Sequence, residues 1–163
     1  MLNLKLALFK IKNFFIIIKS RLLKKKISLK YKENKNNFEK LVEKKNFSHK
    51  WFLNNFEIFS HYLPKELNKE FSYLEIGSFE GLSALNILSN YPNSKVTVID
   101  LWSESNLNSE SLEVNFIEVE KRFDENLKGY NFIKIKKDSV IALRELLKKR
   151  IFFDLIYIDG SHN

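Results

Sequence analysis

The rhythm of apolar and polar positions changes along this chain. In the first fifty residues, short apolar runs are broken every few positions by lysine. Beyond them the runs become regular. "FSYLEIG" (71–77) is a short apolar run closed by glycine, and "LSALNILSNY" (82–91) places apolar residues at 82, 84, 85, 87 and 88, one face of a helix. "KVTVID" (95–100) is β-branched and reads as a strand, and "SLEVNFIEVEKRFDENL" (111–127) as a second helix. "NFIKIKK" (131–137) predicts a strand, "SVIALRELLKK" (139–149) a helix and "FFDLIYID" (152–159) a strand. Strands alternating with helices predict parallel βαβ units. Strands this apolar on both faces need helices on both sides. The expected fold is α/β, a doubly wound and mostly parallel sheet of Rossmann-like form. Its fourth strand would be an uncovered apolar edge.

In such sheets ligands bind beyond the carboxyl ends of the strands. That rule selects Glu75–Gly81, Asp100–Trp102, Asp138–Ser139 and Asp159–His162. The chain has four glycines, and Gly77 and Gly81 stand between the first strand and its helix. Gly77 permits a turn that other residues resist and removes a side chain where a ligand could lie on the backbone. Gly81 lets the next helix begin close to the strand. The spacing Gly77-x-x-x-Gly81 is neither the dinucleotide fingerprint nor a P-loop. Asp100 ends the second strand, where an acid can accept both hydroxyls of a ribose. Its other reading is a cap on the segment that follows.

Charge divides the chain. Residues 1–50 hold 15 Lys and Arg against 3 Asp and Glu, a net +12. The remainder holds 13 against 17, a net −4, so the total of +8 describes neither part. The acidic part has no basic stripe interleaved with aromatics, so no nucleic-acid partner is expected. Within "MLNLKLALFKIKNFFIIIKSRLLKKKISLK", no uncharged run approaches the ~18 residues of a spanning helix. Lys5, Lys12, Lys19 and Lys26 recur every seven residues, with Ile11, Phe14 and Ile18 on another side of a helix. Two readings stand: a helix lying on an anionic membrane surface, or one packed on its own domain or a partner. "KYKENKNNFEKLVEKKN" after it reads as linker or surface helix. The division expected is a basic helical N-terminal arm and linker at 1–47 and a nucleotide-binding domain at 48–163. His49 and His61 sit among aromatics and read as packing residues. The chain has no cysteine, which excludes disulfides, thiolate metal sites and cysteine nucleophiles.

Taken together and in order, "YLEIGSFEGLSALNIL", "VTVIDLW", "RFDENL", "KKDS" and "FDLIYIDGSH" resemble class I S-adenosylmethionine-dependent methyltransferases. The nearest branch is the small bacterial group called methyltransferase family 24, and the resemblance covers roughly residues 48–163. It implies that Glu75, Gly77, Ser78 and Gly81 line the methionine part of the cofactor. Asp100 would hold the ribose, with Leu101 and Trp102 beside it, and Asp138 and Ser139 would lie near the adenine. Asp159 would stand beside the reacting centre as acid/base, or as a divalent-cation ligand as in metal-dependent relatives, with His162 its neighbour. His162 reads equally as a residue fixing the turn. Trp51, Asn54 and Asn55 would belong to a helix covering the cofactor. The implied activity is methyl transfer, chiefly to oxygen, on a small-molecule or sugar acceptor. The implied location is cytoplasmic, at the inner membrane surface if the arm lies on lipid. Family members continue for one or two further βα units, so the resemblance implies a C-terminally truncated domain, inactive by itself. The alternative is a non-catalytic membrane-surface or scaffold module with a relic nucleotide fold.

Overall fold

A computed structural model describes residues 2–66, 68–103 and 115–160, with the side chains of 2–19 and 21 left aside. The apolar runs form four strands: β1 (Ser72–Ile76), β2 (Lys95–Asp100), β3 (Ile133–Lys136) and β4 (Leu155–Ile158). They make one all-parallel sheet in the order β3-β2-β1-β4. Among the described residues there are five α-helices: α1 (Leu2–Val42), α2 (Phe56–Tyr62), α3 (Leu82–Asn90), α4 (Phe116–Asn126) and α5 (Ser139–Lys148). A 3-10 turn at Trp51–Asn54 precedes α2. The chain is thus an α/β protein compatible with a Rossmann-like fold.

Each strand sorts its side chains to the two faces. Tyr73, Val96 and Val98 join the larger core, built with α1, α2, α3 and α4. Leu74, Ile76 and Ile99 face the smaller one, closed by Ala142 and Leu146 of α5. Register follows from this: Tyr73 pairs with Val96 and Leu155, Glu75 with Val98 and Tyr157. A one-residue slip would turn every apolar side chain to the wrong layer. The edge strand β4 leaves Ile156 and Ile158 exposed beyond the reach of α5.

The helix expected over 111–127 is shorter at its start. Asn115 is extended (φ −78°, ψ 94°), and its side chain accepts from the N–H groups of Ile117 and Glu118, so the helix begins at Phe116. Asparagine is among the best N-caps because it satisfies such orphan donors. Residues 111–114 of that expectation lie outside the described residues.

α1 runs unbroken to Val42 through most of the stretch that read as linker or surface helix. Ile27, Tyr31, Phe38 and Val42 of this helix are buried. Their spacing of four, seven and four residues keeps them on one stripe. Phe38 stacks on Phe56 at 5.4 Å and meets Phe52 edge-on at 6.3 Å. Between them Lys35 reaches Glu57 of α2 at 3.3 Å, and Lys65 donates to the Tyr31 hydroxyl at 2.9 Å. His61 packs edge-on to Tyr31, as the sequence suggests. Core side chains therefore extend N-terminal of residue 48: Ile27, at the end of the basic stretch, and Tyr31, Phe38 and Val42 beyond it are buried. Replacing Phe38 by alanine should cost about 3–5 kcal/mol, the range for a buried aromatic. Urea denaturation of the full chain measures it, and a loss below about 1 kcal/mol would show that α1 is not integral to the core.

Candidate functional site

The β1–α3 connection is where the backbone departs most from ordinary conformations. Gly77 and Gly81 both have φ of +83°, and Phe79 between them has φ of +50°. A side chain at Gly77 would meet the backbone of Asp159 and Gly160 at 2.5–2.6 Å. This glycine is required by strand-to-strand approach as well as by its turn. At Gly81 a Cβ would press on Phe123 and Leu127 of the α4 region at 3.0–3.2 Å. Gly81 therefore lets α3 and α4 close together, and its own atoms stay out of the cleft.

Asp100 holds this turn from β2. One oxygen, Oδ2, accepts from the Phe79 N–H at 2.8 Å, and Oδ1 accepts from the Trp102 N–H at 3.0 Å. Trp102 also has positive φ, +43°. Its indole Nε1–H donates to the Phe79 carbonyl at 2.8 Å, and its ring is buried against Phe123 at 4.7 Å with Lys134 over it. The ring of Trp102 is thus committed to the core, and what it offers the cleft is an edge and backbone. The capping role of Asp100 that the sequence left open is present.

Beyond the strand ends lies a cleft of about 600 Å³. Gly77, Ser78, Asp100, Leu101, Trp102, Asp138, Ser139 and Asp159 all line it. Asp138 is the N-cap of α5, its Oδ1 accepting from Ile141 N–H at 3.0 Å. Asp159 accepts from the Tyr157 hydroxyl at 3.1 Å through Oδ2, while its N–H donates to the Ile76 carbonyl. Burial, then the neighbouring Asp159 charge, pushes the Tyr157 hydroxyl far above its usual range, so it stays protonated as a donor. His162 lies outside the described residues. Among the described residues no three potential metal ligands come together.

Glu75 lies beneath the cleft and does not line it. It is fully buried and accepts three hydroxyls: Tyr73 at 2.6 Å, Ser78 at 2.7 Å and Ser83 at 2.9 Å. Its work is to tie β1, the glycine turn and α3 together. Burial raises its carboxyl above the ordinary range, the three hydroxyls pull it back, and the charge of Asp159 adds to the rise.

Glu80 lies inside the stretch Glu75–Gly81 that the sequence selects, but the sequence gives it no role of its own. This carboxylate, 1% exposed, accepts from Ser48 N–H and Ser48 Oγ, both at 2.6 Å, and from Arg122 at 2.9 Å. Asn126 adds bonds to the backbone of Asn46 and Glu80. Together they hold residues 46–48 across the turn and bring His49 and Trp51 to the rim. There His49 packs on Trp51 at 4.4 Å and Trp51 on Phe79 at 5.3 Å. The available signal was an acid inside an apolar glycine turn, where an unpaired charge is costly. Asn55 also lines the cleft.

No protein-family model matches the chain, and it has no significant match among curated proteins.

Glu75 carries a pH prediction. Its folded-state carboxyl is raised above the ~4.3 of an unfolded glutamate. Its contribution is therefore fully present below the unfolded value and lost as pH rises through the folded one. Glu75→Gln keeps an acceptor for both serines and removes the titration. Measured by urea denaturation from acid to neutral pH, wild type should lose stability relative to the glutamine variant as pH rises. A difference that does not move with pH would mean the carboxyl is not perturbed.

Proposed function

We propose that this chain belongs to an S-adenosylmethionine-dependent methyltransferase and binds the cofactor, with a small molecule or sugar as acceptor. One observation carries the reading. The glycine turn after β1, the acid ending β2, the start of α5 and the acid ending β4 all open on a single cleft. The motif order that resembles the methyltransferases supplies the identity of the ligand.

The residues suit a nucleoside. The cleft falls within the roughly 300–1,000 Å³ of small-molecule sites. Each Asp100 oxygen accepts one backbone N–H, and a carboxylate offers about four acceptor positions. Capacity for two ribose hydroxyls remains. Trp51, Phe79 and His49 form a cluster of mutually tilted aromatic rings at the rim.

When bound, S-adenosylmethionine would supply an activated methyl group. The rest is the work of the chain. The turn Gly77–Gly81 and Asp100 would fix the cofactor, and most of the rate would come from orientation. Asp159 would take the acceptor's proton on Oδ1, the oxygen that Tyr157 does not engage. An oxygen acceptor would give up that proton as the methyl carbon exchanges its bond to sulfur for one to the acceptor oxygen, with S-adenosylhomocysteine as the leaving group.

The test is calorimetry with S-adenosylhomocysteine, its 2′-deoxy analogue and NAD. Wild type should bind S-adenosylhomocysteine and lose about 1.5–3 kcal/mol with the deoxy analogue, the worth of a hydrogen bond to a charged group. Asp100→Ala should bind more weakly and no longer distinguish the two, a cycle that separates ribose contact from damage to the turn. Preference for NAD would sink the family reading. Equal discrimination by both proteins would sink the ribose assignment.

A further inference from the structure

α1 buries one stripe and leaves another uncovered. Ile27, Tyr31, Phe38 and Val42 face the domain. Leu22 and Leu29, seven residues apart, lie about half a turn round the helix from that stripe at ~100° per residue. They are 62% and 66% exposed. Lys25, Lys26 and Lys30 are exposed and lie within about a quarter turn of Leu22 and Leu29 at ~100° per residue. None of Lys24, Lys25 and Lys26 is paired with an acid among the described residues. The sequence continues the pattern upstream. Leu4, Leu8, Ile11, Phe15, Ile18 and Leu22 alternate four and three residues apart, and residues 1–30 hold nine Lys and Arg with no acid.

Among the described residues no helix is long and apolar enough to cross a bilayer. Three occupants remain for such a face. A second copy would set lysines against lysines along a coiled-coil seam, where neighbouring positions need opposite charges. A nucleic acid would use the lysines but give the leucines nothing, since its affinity comes from phosphates. An anionic bilayer uses both, taking leucines into the acyl boundary and lysines at the headgroups. We infer that this outer face of α1 docks the protein on an anionic lipid surface.

The helix then joins membrane and domain directly. Its inner stripe is fixed in the core while its outer stripe meets lipid, and neither function competes with the other for side chains. Because Leu22 and Leu29 are exposed, replacing them leaves the domain's packing intact.

Co-sedimentation of the full chain with vesicles tests it. The protein should pellet with phosphatidylcholine–phosphatidylglycerol vesicles and not with phosphatidylcholine alone. Pelleting should fall between about 0.1 M and 1 M salt, as the screening length drops from ~10 to ~3 Å. Lys25→Gln with Lys26→Gln should weaken binding about twenty-five-fold, from roughly fivefold per lysine. Leu22→Ser with Leu29→Ser should weaken it at least about tenfold while far-UV circular dichroism is unchanged. Equal pelleting on neutral vesicles, or none on either, would overturn the inference. So would leucine variants that bind as wild type with heparin competing fully, which would mark a polyanion surface. A stable dimer in light scattering, lost in the leucine variants, would assign the face to a second copy.

Discussion

Asp100 joins two residues that would not otherwise stay where they are. Phe79 and Trp102 both occupy the left-handed region that side chains avoid, at a cost of order 1–3 kcal/mol each. Each gives its N–H to one Asp100 oxygen, and such bonds to a charged group return about 1.5–3 kcal/mol. The terms are of similar size, so the carboxylate offsets much of the cost of the strained loops. The tryptophan ring closes the arrangement by donating to the Phe79 carbonyl. The cleft walls are thus held by polar contacts between β1 and β2 loops, while the strands beneath supply the apolar burial. A ribose contact at Asp100 would add to this bracing without replacing it.

Two buried glutamates extend the same principle in different directions. Glu75 gathers hydroxyls from β1, the turn and α3 under the floor. Glu80 reaches outward to Ser48 and Arg122. Through Glu80 the segment after α1 is fastened beside the cleft, so the N-terminal helix and the candidate site belong to one packed body. A buried carboxylate left without partners is expensive, which ties the conformation of residues 46–48 to that of the turn.

Much of the sheet was legible because its strands are short apolar runs punctuated by Gly77, Asp100 and Asp159. Alternation of strand and helix fixes a parallel order, and the strand ends then name most of the cleft lining. The illegible parts have physical causes. The inner stripe of α1 is four residues in a lysine-rich stretch, and local composition hid a spacing that only the finished core makes meaningful. Asn115 stops α4 by a side-chain bond that periodicity does not register. Glu75 and Gly81 were placed by sequence among cleft residues because they flank the turn. Whether a side chain at a strand end points to the ligand or to the helix depends on face, and Glu75 falls on the helix face. Glu80 and Ser48 are 32 residues apart, a distance over which sequence pattern carries no pairing information.

The position of β4 beside β1 has a consequence for how the chain is made. Ser72 and Asp154 are bonded across 82 residues, and the backbone that presses on Gly77 belongs to Asp159 and Gly160. At roughly 5–20 residues per second of synthesis, one flank of the central strand stays bare for about 4–16 s after β1 emerges. During that interval β1 can already pair with β2 and pack on α1, yet the floor of the cleft does not exist. Any ligand that fits it arrives too late to guide folding. Over that interval the flank of β1 that later receives β4 is an unpaired apolar edge, the kind of surface that pairs with other chains.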